Sequence, residues 1–171
     1  MKIEKTLWAV FLFLALLSFR QPAPPQYEKE AERAPLKSFK QMMDTRIAYI
    51  QQQPFCTALL EEYMDLIAMP HKKIAYYQAV LETNHFQSRV FIENNNLFGM
   101  KQAFVRPNTA VGTNRGHAVY NHWTCSVDDY KLRYVYFSRR RTYIDYLAFL
   151  VETGYAEDMH YINKLITMKQ N

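Results

Sequence analysis

The chain is poor in cysteine, with only Cys56 and Cys125 among 171 residues. One disulfide is the most they can form, and spacing alone leaves open whether they pair or stay free. The five histidines (His71, His85, His117, His122 and His160) are scattered and make no metal-ligand spacing. No metal or cofactor is therefore expected. Dense basic runs are also scarce. Arg139-Arg140-Arg141 is the single cluster, without interleaved glycine or aromatics, so no nucleic-acid partner is expected. The longest apolar run, Leu7 to Phe19, is broken by Ser18 and falls short of the roughly 20 residues that span a bilayer. No repeat is visible. Finally, Gln102 to Trp123 contains no Asp or Glu.

Apolar residues make up 49% and charged residues 22%, enough to bury one core. Aromatics reach 15%, carried by 13 Tyr and 11 Phe. Tyrosine suits half-apolar, wet surfaces such as sugar clefts, although core packing and helix surfaces explain most of them. The net charge is +5, of which residues 1–20 hold +2, leaving +3 for the rest. That balance suits an anionic polymer such as a cell wall. Lys2 and Lys5 before the apolar run read as a signal peptide or an N-terminal membrane anchor over residues 1–20. The chain is thus expected to be exported to the periplasm or cell envelope, either released or tethered to the membrane through its N-terminus. Residues 21–34 are Pro-rich and charged and read as a linker or exposed tether. The globular part is placed at 35–171 and expected to act as a monomer.

Helices are predicted over Ser38–Gln53, Cys56–Met69, Lys72–Thr83, Thr124 or Ser126 to Phe137, Thr142–Thr153 and Asp158–Met168. A polar stretch fills Thr83 to Asn96, and Gly116-His-Ala-Val-Tyr120 reads as a small β-hairpin or ordered loop. The third helix delivers Glu82 at the end of an apolar run. A carboxyl group among apolar neighbours holds its proton more tightly and can donate it to a leaving oxygen. That is the chemistry of glycoside cleavage.

Four stretches, in order, resemble the bacterial glucosaminidase group, glycoside hydrolase family 73. They are Gln78-Ala-Val-Leu-Glu-Thr-Asn-His-Phe-Gln-Ser88, Asn94-Asn-Asn-Leu-Phe-Gly-Met-Lys101, Ala118-Val-Tyr-Asn-His-Trp-Thr-Cys-Ser-Val-Asp-Asp-Tyr130, and Gly154-Tyr-Ala-Glu-Asp-Met-His-Tyr-Ile-Asn-Lys-Leu165. Phe86 stands where many family members carry Gly. The resemblance implies a mainly α, lysozyme-like helical body with a small β-hairpin or loop lobe flanking a cleft. It implies hydrolysis of β-1,4 bonds after N-acetylglucosamine in peptidoglycan, with the glycan strands as partner. Glu82 matches the position of the acid and Tyr120 that of the family's cleft tyrosine.

The remaining assignments weigh two roles each. Asn94, Asn95 and Asn96 can bind sugar, but asparagine also builds turns. Phe98 and Trp123 can stack on sugar rings or fill the core, and Tyr155 belongs to the closing motif but also suits packing. Tyr161 reads as packing, and His85 and His117 are candidates for the cleft border. The second carboxylate usual in glycosidases is not evident. Glu93 is nearest but is expected to face solvent, and Asp128 and Asp129 suit the start of their helix. Substrate assistance needs no second carboxylate. A lytic transglycosylase and a non-catalytic peptidoglycan-binding module remain alternatives.

Overall fold

The computed structural model describes residues 26–139, 146–155 and 159–170. The expected signal or anchor over residues 1–20 lies outside the described residues. Seven helices and one two-stranded sheet are described: α1 (Gln26–Ile50), α2 (Thr57–Leu66), α3 (Lys72–Glu82), α4 (Arg89–Asn94), β1 (Gly112–Asn114), β2 (His117–Val119), α5 (Trp123–Ser138), α6 (Tyr146–Glu152) and α7 (Met159–Gln170). This is the mainly α, lysozyme-like architecture expected from the sequence. Two compact units, residues 1–42 and 43–171, divide the chain. In the first, α1 begins at Gln26, so residues 26–34 are helical where an irregular tether was expected, and Pro35 sits inside the helix. Proline gives up one backbone bond there but tolerates helical φ.

The second unit holds the core. Leu60, Tyr63 and Met64 of α2 meet Trp123, Val127 and Tyr130 of α5, with Phe149 and Leu150 of α6 and Leu165 of α7 also buried. Helix α3 packs on α7, and α4 on β2. Burial of so many large side chains supplies the main stabilisation, each contributing about 1.5–3 kcal/mol. Cys56 and Cys125 are free thiols.

Several local details depart from expectation. Helix α4 interrupts the stretch read as polar loop, and its N-cap Ser88 accepts a bond from the Phe91 N–H. Helix α5 starts at Trp123, capped by the His122 side chain rather than by Thr124 or Ser126. The hairpin pairs Gly112 with Val119 and Asn114 with His117. Its two-residue turn, Arg115-Gly116, has φ of +56° and +76°, the geometry that matches strand twist.

Helix ends position the site. Helix α6 closes with Gly154 N–H on Val151 O and Tyr155 N–H on Leu150 O. This is the αL stop expected at Gly154, and it turns Tyr155 back toward the body. Helix α3 stops the same way, with Asn84 N–H on Leu81 O and His85 N–H on Val80 O. The chain there takes three successive positive φ values, at Asn84, His85 and Phe86. Thr83 braces the bend: its hydroxyl donates to Ala79 O and accepts from Phe86 N–H.

Candidate active site

Glu82 ends α3, one helical turn beyond Gln78, so both side chains lie on one face. Gln78 is fully buried. Its Oε1 accepts from the Tyr130 hydroxyl at 2.5 Å, and its Nε2 donates to the Tyr161 hydroxyl at 3.2 Å. With its oxygen accepting from Gln78, Tyr161 is oriented to donate to the Glu82 carboxylate, its second partner. Burial raises the pKa of Glu82, and the Tyr161 bond and the nearby His117 offset this only in part. The carboxyl thus favours its protonated form more than a free carboxylate does.

Gly99 forms the opposite contact. Its φ is +59°, and a Cβ there would lie 3.0 Å from Glu82 Oε2. Glycine meets both demands, the left-handed backbone and the close approach. Around this contact opens a cleft of about 460 Å³, lined by Glu82, Phe98 to Ala103, Val105, Arg106, Arg133, Phe137 and Thr153 to Tyr155. Such a volume suits a small ligand or part of a polymer. Among the described lining residues Glu82 is the single carboxylate, beside three cations, Lys101, Arg106 and Arg133.

Of the residues singled out in the sequence, Glu82, Phe98 and Tyr155 line this cleft. Phe98 is 1% exposed and stacks on Tyr130 with ring centroids 4.1 Å apart, so its ring is mainly a core element. Tyr155 donates to Phe98 O at 2.8 Å. The other candidates sit elsewhere. Asn94 exchanges bonds with Asn114, and Asn95 donates to Tyr120 O. Asn96 donates to Met100 O and Ala118 O while accepting from Phe98 N–H and Met100 N–H. All three amides are thereby used in fastening the Leu97-Phe98-Gly99 turn and α4 to the hairpin. Trp123 is buried, with its indole N–H on Gln53 O.

Tyr120 also departs from its expected place at the reacting sugar. It is 2% exposed, absent from the cleft lining, and donates to Asp129 Oδ2 at 2.6 Å. Burial and the Asp129 charge push its pKa up, so it remains a phenol. Asp129 is itself fully buried and holds Arg106 Nη1 at 2.5 Å through Oδ1. It therefore anchors a cleft arginine instead of serving the helix start. Asp128 accepts both its bonds from Tyr63. Glu93 faces solvent as expected, in an ion pair with Arg115 at 2.6 Å, but it sits on α4 and not in a turn. His85 is exposed, and neither it nor His117 is among the lining residues, although His117 is near enough to Glu82 to act on it electrostatically.

Sequence reasoning missed Gln78, Tyr161, Arg106 and Arg133. A signal existed for Arg133: Ser126, Tyr130, Arg133 and Phe137 follow helical spacing, which puts a cation on a half-buried stripe.

The model of the Glucosaminidase family, described as mannosyl-glycoprotein endo-beta-N-acetylglucosaminidase, matches residues 57–171. No curated protein and no solved structure showed a match. The chain belongs to the Glucosaminidase family and is a glycoside hydrolase.

Proposed function

From that membership and this cleft, we propose that the chain cleaves the β-1,4 bond after N-acetylglucosamine in peptidoglycan, with Glu82 as general acid. The observation that carries the reading is a desolvated carboxyl with a raised pKa, the single carboxylate among the described lining residues. Glu82 gives its proton to the leaving oxygen as the glycosidic bond breaks. With no second carboxylate among the described lining residues, the substrate's own acetamido oxygen attacks the anomeric carbon and forms a cyclic intermediate. Water then opens that ring, and Glu82 recovers its proton from the water. Tyr161 and Gly99 position the carboxyl. Tyr120 supports the cleft from behind, through Asp129 and Arg106. Phe98 and Tyr155 supply apolar wall, and the chain acts in the cell envelope, where its substrate is.

The lone acid equally suits a lytic transglycosylase, in which a sugar hydroxyl replaces water. Mass spectrometry of peptidoglycan digested by the chain, beside Glu82→Gln, decides. Reducing N-acetylglucosamine ends, lost in the variant, support the hydrolase; anhydro ends replace it with the transglycosylase. Wall binding without products, unchanged in the variant, would point to a binding module.

A further inference from the structure

Arg133 is a buried cation, 8% exposed, with no carboxylate partner among the described residues. Its Nη2 donates to Thr153 O at 3.0 Å and Thr153 Oγ1 at 2.8 Å. Its Nη1 is buried with no hydrogen-bond partner. Aromatic rings enclose the guanidinium, with Tyr155 at 5.0 Å and Phe137 at 5.2 Å from the ring centroids. Burial lowers its pKa, and the positive charge of Arg106 adds to that. An uncompensated buried charge is costly, so its retention calls for a reason.

Arg106 makes the contrast. It is equally enclosed, but Asp129 neutralises it. Counted over the described residues, the wall shared by the two arginines therefore carries the positive charge of Arg133, with Lys101 along the same cleft. Glu82 cannot balance this while it holds its proton.

We propose that this wall binds a carboxylate of the substrate, with Arg133 as the principal cation and Arg106 beside it. The cleft thereby selects acid-bearing wall glycan over neutral polymers of N-acetylglucosamine. This deepens the peptidoglycan reading and rests on it. A carboxylate brings the acceptor that Nη1 lacks, in a charge-assisted bond. Peptidoglycan offers one in two places, on the stem peptide or, where no stem is attached, on the lactyl arm of the muramic sugar, since an attached stem ties up that carboxyl as an amide.

The test uses the whole chain on three substrates: native glycan strands, the same strands with carboxylates reduced to alcohols, and neutral chitin oligosaccharides. Reduction is expected to raise KM about 10- to 100-fold, with kcat nearly unchanged. Arg133→Gln should raise KM on native strands to the same level and leave KM on reduced strands unchanged. Arg133→Lys should recover part of the preference, which a merely structural role would not produce. Strands stripped of peptide, against strands that retain it, assign the carboxylate to the lactyl arm or the stem. Equal KM on native and reduced strands with the unaltered chain overturns the proposal, whatever the variants do. If no substrate is cleaved, the catalytic reading fails separately. Calorimetric titration with N-acetylmuramic acid and with a muramyl dipeptide, each against N-acetylglucosamine, then decides the site: tighter binding of either acid upholds it, and equal binding of both overturns it.

Discussion

Two polar clusters are buried in the same unit and are satisfied to different degrees. Beneath the hairpin, Asn94 and Asn96 spend their side-chain groups on Asn114, Met100, Ala118 and Phe98. At the cleft, Glu82 keeps a raised pKa and Arg133 keeps an unbonded nitrogen. Both clusters hold polar atoms away from water, which is tolerated only when partners are present. The first is closed and sets the shape of a turn. The second is left open, and an open buried charge is where a substrate can supply the missing partner.

The widest gap between the clusters should appear with Glu82→Gln. The amide keeps the size and the Tyr161 contact but has no proton to give. Turnover on peptidoglycan is expected to fall about 100- to 10,000-fold. Stability should move the other way. The folded pKa of Glu82 lies above its unfolded value, so between the two the folded chain binds more protons. Stability is therefore lost as pH rises through that window. The glutamine variant escapes the loss. It should melt higher than the unaltered chain near neutral pH and alike below the ordinary carboxylate range. Undiminished turnover, or a lower melting temperature at neutral pH, would break the contrast.

Asn96→Ala probes the closed cluster. It removes four side-chain bonds at a residue 1% exposed. A loss of about 3 kcal/mol in urea unfolding is expected, since stranded backbone groups cost more than the bonds are worth. A loss below about 1 kcal/mol would mean that backbone pairing alone holds the turn.

The two clusters also differed in how far the sequence revealed them. Local pattern was enough to place Glu82 at the end of its helix and Gly154 at a helix stop, because both depend on residues within a few positions. The turn role of the asparagines was legible for the same reason, though not their partners 20 or more residues away. Tyr161 was read as packing because its two partners, Gln78 and Glu82, lie on another helix. Tyr120 was assigned to the substrate, whereas Asp129, nine residues on, takes its hydroxyl. Periodicity marks which face is buried, but it does not say which polar groups meet there.

Gly99→Ala tests the point where the clusters join, since Asn96 fixes the turn that brings Gly99 to Glu82. The added methyl meets Oε2 at 3.0 Å and is strained at φ +59°. A displaced carboxyl should lower kcat about 10-fold, with about 1–2 kcal/mol of stability lost. Stability lost with kcat unchanged would separate the turn from the chemistry.

The smallest expected effect concerns Phe86, in the bend just after Glu82. Its φ is +66°, which explains why a glycine is at home at this position. The phenylalanine accepts the strain and packs its ring 4.8 Å from Phe55 and 6.2 Å from Phe91. Phe86→Ala loses the ring and keeps the strain, while Phe86→Gly loses the ring and relieves it. The glycine variant, although smaller, should be the more stable of the two by about 1 kcal/mol in urea unfolding. Kinetics sharpen the comparison further. If the strained bend only carries the chain past Glu82, both variants keep kcat. If kcat falls with alanine and returns with glycine, the bend itself helps to aim the carboxyl, and the open cluster extends to Phe86.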